Sequence, residues 1–193
     1  MKIIKTVIKY GAIASLALAT TAVFAASPEY TYVEAAYVNT DFDGIGDDDG
    51  WGIGGSAEVG ENIFIFADYS SIGLPAGVDF NVLDAGIGYK SPISPTTDIN
   101  LSIGYVNFEL DTGLFGSADE DGYSLDATIR SMVSNEFELN GGISYIDLGN
   151  GNDDPFFHVG AVYSFNPSFA VFGDFNTSSD ITTYMIGGRF YIQ

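Results

Sequence analysis

Cysteine is absent, histidine occurs once, and six lysines and arginines stand against 26 aspartates and glutamates. Without cysteine there is no disulfide framework and no thiolate metal site. So few cations exclude nucleic-acid binding through phosphates, which needs clustered lysine and arginine. Helical spacing of apolar residues is missing after the first 25 positions, and no apolar run there reaches the roughly 18 residues of a membrane-crossing helix. What the chain does have is 12 tyrosines, 15 phenylalanines and a mean hydropathy of +0.17, a composition that folds despite its charge.

Half of the cations lie at the start. Lys2, Lys5 and Lys9 precede an apolar stretch from Gly11 to Phe24 and the small residues Ala25-Ala26-Ser27. This is the layout of an export signal cleaved after Ala25, so residues 1–25 are set aside and one domain is expected over 26–193. The mature chain keeps only Lys90, Arg130 and Arg189 against all the acids.

From Tyr30 onward side chains alternate with a period of two, which predicts ten strands: roughly 30–39, 51–59, 63–70, 80–90, 98–109, 122–133, 137–146, 156–165, 169–176 and 181–192. An eight-strand count is the alternative if two weak segments merge. Connections after the even segments are short, such as Gly60-Glu61-Asn62 and Asn166-Pro167-Ser168. Those after the odd segments, at 40–50, 71–79, 110–121, 147–155 and 177–180, are mostly longer and carry more than half of the acids. Short turns at one end and long polar loops at the other are the plan of a closed antiparallel up-and-down transmembrane β-barrel, with both termini periplasmic.

The faces agree. Tyr123, Leu125, Ala127 and Ile129 share one side of the sixth segment, and Ser124, Asp126, Thr128 and Arg130 the other. Aromatics on the apolar side sort to the two ends. Tyr37, Trp51, Tyr69, Tyr105, Tyr123 and Tyr145 fall near the loops, and Tyr89, Phe165 and Phe190 near the turns. Two aromatic girdles around an aliphatic band suit a bilayer and its interfaces, not a soluble core. In Ile63 to Tyr69 both faces are apolar, which implies a bulge or a filled lumen.

The signal, strand and turn pattern resembles the OmpA-like superfamily of small outer-membrane barrels. The pieces "YTYVEAAYV", "DGWGIGGS", "ISPTTDINLSIGY" and "FNPSFAVFGDF" look like a family of short outer-membrane proteins first described as secreted immune elicitors and quorum signals. The resemblance implies an outer-membrane location. It transfers no catalytic residue, and the chain ends on Gln193 where assembly signals of such barrels end in Phe or Trp.

Three features bear on chemistry. The stretch Thr40–Trp51 holds five aspartates, but against a calcium-binding helix-loop-helix motif starting at Asp41 it places Ile45 at position five and Gly52 at position twelve. It reads first as a solvated loop and second as an irregular Ca2+ site using Asp41, Asp43, Asp47 and Asp49. His158 falls on the inward parity and reads as a satisfied polar group before it reads as a catalytic base. Glu34, Glu58, Asp84, Asp126, Glu138 and Asp174 point inward with Arg130 and Arg189. They form either salt bridges that plug the barrel or a negatively lined cation path. The expected function is that of a non-enzymatic outer-membrane barrel with a structural or surface-interaction role; a small cation-preferring porin is the alternative, and a lipid-modifying or proteolytic enzyme the third. Its expected partners are outer-membrane lipid, the barrel-assembly machinery and surface or host molecules met through the acidic loops, with no nucleic acid.

Overall fold

A computed structural model describes residues 27–44, 46–113, 116–149 and 155–192. The expected signal segment 1–25 and Gln193 lie outside them. Ten strands follow in order: β1 Tyr32–Phe42, β2 Gly46–Glu58, β3 Ile63–Leu74, β4 Val78–Ser94, β5 Thr97–Asp111, β6 Ser117–Met132, β7 Phe137–Asp147, β8 Pro155–Asn166, β9 Phe169–Thr177 and β10 Ile181–Tyr191. Each pairs antiparallel with its sequence neighbours, and β1 pairs with β10, so the sheet closes as an up-and-down barrel of ten strands. Closure leaves no strand edge with unpaired backbone groups, the condition for crossing lipid.

The outward face is apolar and exposed: Ile53, Ile87, Leu101, Ile103, Ile143, Val159 and Ile186 form the band between the aromatic ends. Seen as a soluble protein this would be an untenable surface; in hydrocarbon it is the correct one. The inward face departs from a purely polar lining. Val38, Phe64, Ile72, Val106, Val162 and Phe172 also point inward and are buried. A ten-stranded lumen is wider than a row of small polar groups can fill, so large side chains close it. β3 shows how. Its ladder to β4 is continuous from Ile63↔Tyr89 to Leu74↔Val78, and Phe64 fits because Gly88 opposite has no side chain; a Cβ there would come 2.1 Å from the ring. The doubly apolar β3 is therefore a filled lumen and not a bulge.

The predicted acidic loops shrink. Residues 40–50, read as a loop, are mostly strand: Asp41 pairs with Asp47, and Asn39 with Asp49. β1 ends at Phe42 and β2 begins at Gly46, and at this tip Gly44 and Gly46 have φ of 79° and 121°, values that suit glycine. Stretches 71–79 and 110–121 are extended likewise, leaving connections at 75–77 and 112–116. The cause is physical. Beyond the bilayer both faces meet water, so the hydrophobic alternation fades while the backbone ladder continues.

Candidate functional site

The lumen contains a cavity of about 520 Å³, and the strands place three kinds of side chain around it. Its floor lies at the turn end. Arg130 on β6 meets Glu138 on β7 as a two-pronged pair, Nε to Oε1 at 2.7 Å and Nη2 to Oε2 at 2.9 Å, with both side chains buried. Arg189 on β10 meets Glu34, its direct partner on β1, with Nη2 2.7 Å from Oε2. That pair fastens the first strand to the last. Lys90 binds Glu58. The segment before β1 runs into this floor: Arg130 Nη2 donates to the Glu29 carbonyl at 3.0 Å, and the Tyr30 ring carries Arg130 at 4.3 Å and Lys90 at 4.5 Å from its centroid. Arg189 lies 3.9 Å from the Tyr32 centroid. Fork-shaped ion pairs and stacked cations justify the burial of charges that would otherwise be costly.

Above the floor the wall is acidic. Ser124 donates to Asp84 at 3.0 Å, while Thr128 and Ser144 donate to Asp126 at 2.6 and 2.7 Å. Asp68 and Asp174 instead lie against glycines of the neighbouring strand, where a Cβ on Gly54 or Gly160 would come within 2.0 and 1.8 Å of a carboxylate oxygen. At the loop end the lining turns apolar. Phe42, Phe80 and Phe108 form a continuous ring contact, with centroids 5.8 and 5.7 Å apart, and Ile146, Phe156 and Ile181 complete the collar. His158 has Nε2 2.9 Å from Thr128 Oγ1 and Nδ1 3.8 Å from Asp126. The single hydroxyl hydrogen of Thr128 goes to Asp126, so the imidazole N–H donates to the hydroxyl, the reverse of nucleophile activation.

A family model described as outer membrane protein beta-barrel domain matches residues 11–165 of the chain. The chain belongs to that family. It is a bacterial outer-membrane β-barrel. No curated protein matches it. Among solved structures, an outer membrane channel from Pseudomonas putida F1 superposes with a TM-score of 0.52 at 9% identity, covering 90% of this chain and 99% of that one. KdgM porin gives 0.48 at 11% identity over 83% and 99%, and Neisserial surface protein A 0.45 at 14% over 84% and 96%. At 9% identity the likeness to the Pseudomonas putida channel is one of fold.

On the lipid-facing side of the barrel, Tyr37, Trp51, Tyr89, Tyr105, Tyr123, Phe165 and Phe190 are each about half exposed. Tyr69 packs on Trp51 with centroids 5.5 Å apart, and Tyr145 is half-buried on the same face. The loop-end girdle is tied to the acids above it. Tyr37 and Asn39 both donate to Asp49, Tyr105 and Asn107 to Asp121, and Tyr123 to Asp147. Asp49 is thereby engaged, and Asp41, Asp43 and Asp47 do not converge with it; among the described residues no three acidic or histidine side chains are gathered to hold a metal ion. Of the inward charges named from sequence, Glu34, Glu58, Arg130, Glu138 and Arg189 form the floor and Asp84, Asp126 and Asp174 the wall. Tyr30, Tyr32, Asp68, Asp98 and Asn100 were not among them. Parity carried the signal: Tyr30 and Tyr32 alternate in step with Glu34, and Asp98 with Asn100.

Proposed function

We propose that the protein is a non-enzymatic, non-conducting outer-membrane barrel that acts at the cell surface through its acidic loop-end hairpins, with both termini in the periplasm. The observation that carries this reading is the floor. Arg130 with Glu138 and Arg189 with Glu34 close the lumen as two ion pairs, and the Tyr30 ring, 1% exposed, packs against Arg130. A path for ions would have to break two ion pairs and expel the segment before β1. The surface role draws its support from charge placement. Lys90, Arg130 and Arg189 are all engaged at the turn end, so the loop-end hairpins offer only acids, a surface suited to cationic partners. The resemblance to short outer-membrane proteins once described as secreted immune elicitors fits a chain met from outside. Lipid surrounds the apolar band, and the barrel-assembly machinery inserts it.

The acidic wall favours one second reading, a narrow cation-preferring pore. Planar-bilayer recording on the refolded mature protein separates the two. Inserted protein is expected to leave the membrane silent. Discrete cation-preferring steps that vanish in Asp126→Asn would establish the pore and reject the closed barrel.

A further inference from the structure

The two ion pairs of the floor each join neighbouring strands: Arg130 and Glu138 stand on β6 and β7, and Arg189 and Glu34 on β10 and β1. Neither pair spans the barrel by itself. The crossing is made by the segment before β1, whose Glu29 carbonyl accepts from Arg130 at 3.0 Å, and β6 is the fifth strand from β1 in either direction around the sheet. On the way the Tyr30 ring meets Phe64 of β3, with centroids 5.1 Å apart, carries Lys90 of β4 on its face, and turns its hydroxyl toward Asp98 and Asn100 of β5. Ser27 Oγ lies 3.5 Å from the Pro95 carbonyl, in the turn between β4 and β5. Pro28 and Tyr30 are buried while Ser27 and Glu29 are exposed, the alternation of a strap laid across an opening with one edge inward.

Side-chain contacts hold this strap in place. Among the described residues, 27–30 make no backbone-to-backbone hydrogen bond, and the ladder takes up only at Thr31, whose carbonyl accepts from Ile192 at 3.0 Å. The strap can therefore leave without unpairing a strand. The cavity ends against Tyr30, Arg130 and Arg189, so the tyrosine ring stands between the lumen and the turn end.

We propose that residues 27–30 are a built-in plug: docked on Arg130 and Lys90 they shut the turn end, and undocked they open the lumen from end to end. The plug presupposes the closed barrel proposed above. With the strap in place an ion must break both pairs. Without it, each arginine can lie back along the wall against the glutamate of the neighbouring strand, still paired. Two cations stacked on one ring hold the docked state, and on undocking the acidic wall lines a continuous water path.

Planar-bilayer recording tests this by comparing the refolded mature protein with a variant lacking residues 26–30 and with Tyr30→Ala and Tyr30→Phe, folding being checked by heat-dependent gel mobility. The unaltered protein is expected to be silent and the truncated one to give discrete steps in most insertions. Tyr30→Ala should open for part of the time, and Tyr30→Phe, which keeps the ring over Arg130, should stay silent. If the truncated variant fails to fold, Tyr30→Ala against Tyr30→Phe carries the test. Steps from the unaltered protein would reject the closed barrel and the plug with it. Silence of the unaltered protein together with silence of the folded, inserted truncated and Tyr30→Ala variants would overturn the plug alone, as would equal conduction by Tyr30→Ala and Tyr30→Phe.

Discussion

At Gly160 the missing side chain is what makes room for a carboxylate. The Asp174 oxygen would lie 1.8 Å from a Cβ there, so Gly160→Ala must push the carboxylate off its seat or spread β8 from β9. Overpacking of this kind costs about 1–3 kcal/mol, and unfolding in urea with lipid vesicles should show it. Gly60→Ala, in a turn where a Cβ meets nothing within 4 Å, should be close to neutral. The floor gives a sharper contrast. Arg130→Met leaves Glu138 buried without its partner and should cost about 3–5 kcal/mol, whereas Arg130→Met combined with Glu138→Leu should recover most of that loss. Parity alone put both residues inside. Parity did not say that Glu138, and not Asp126, takes the arginine; that follows from the β6–β7 register, in which Arg130 faces Asn140 and Met132 faces Glu138. The same register brings Asp126 opposite Ser144, whose hydroxyl satisfies it without a cation.

Among the elements, the β1–β2 hairpin departs most from its sequence reading. Apolar alternation on the outward face ends at Tyr37 and Trp51, the level of the girdle, yet the ladder runs on to Phe42↔Gly46 with Asn39, Asp41, Asp47 and Asp49 in the outward positions. Like charges opposed at Asp41↔Asp47 weaken the pairing, and the tyrosine and asparagine donors to Asp49 strengthen it. Amide hydrogen exchange is therefore expected to be slow through Asp49 and Gly50 and to quicken only at Asp43 and Gly44. Fast exchange from residue 40 onward would return this stretch to a loop. Tyr37→Phe should raise exchange at Asp49 by removing one of its two donors. β3 was ambiguous for the opposite reason. Isoleucines on one face and phenylalanines on the other erased its alternation, and only the glycines of β4 show that the phenylalanine face is a packed lumen.

For the whole molecule, the fold was legible because a bilayer imposes its own order on the sequence: a two-residue period, aromatic ends and no edge. The closure itself was legible only as a requirement. Its register, with Glu34 against Arg189, joins residues from opposite ends of the chain and leaves no local trace. The floor was half legible, since its charges were named while Tyr30, the residue that seats them, stood outside any charge pattern. The floor makes the lumen a cup, open at the loop end and shut at the turn end. The absence of cysteine makes one measurement direct: single cysteines placed at Asp43 on the loop tip, Ser70 in the cavity wall and Asn135 in a turn, each in protein inserted into sealed vesicles and treated with a small membrane-impermeant cationic thiol reagent. In a cup, Ser70→Cys is labelled from outside to the same fraction as Asp43→Cys, the complement of Asn135→Cys. Complete labelling of Ser70→Cys, reached from both faces of the membrane, would contradict it.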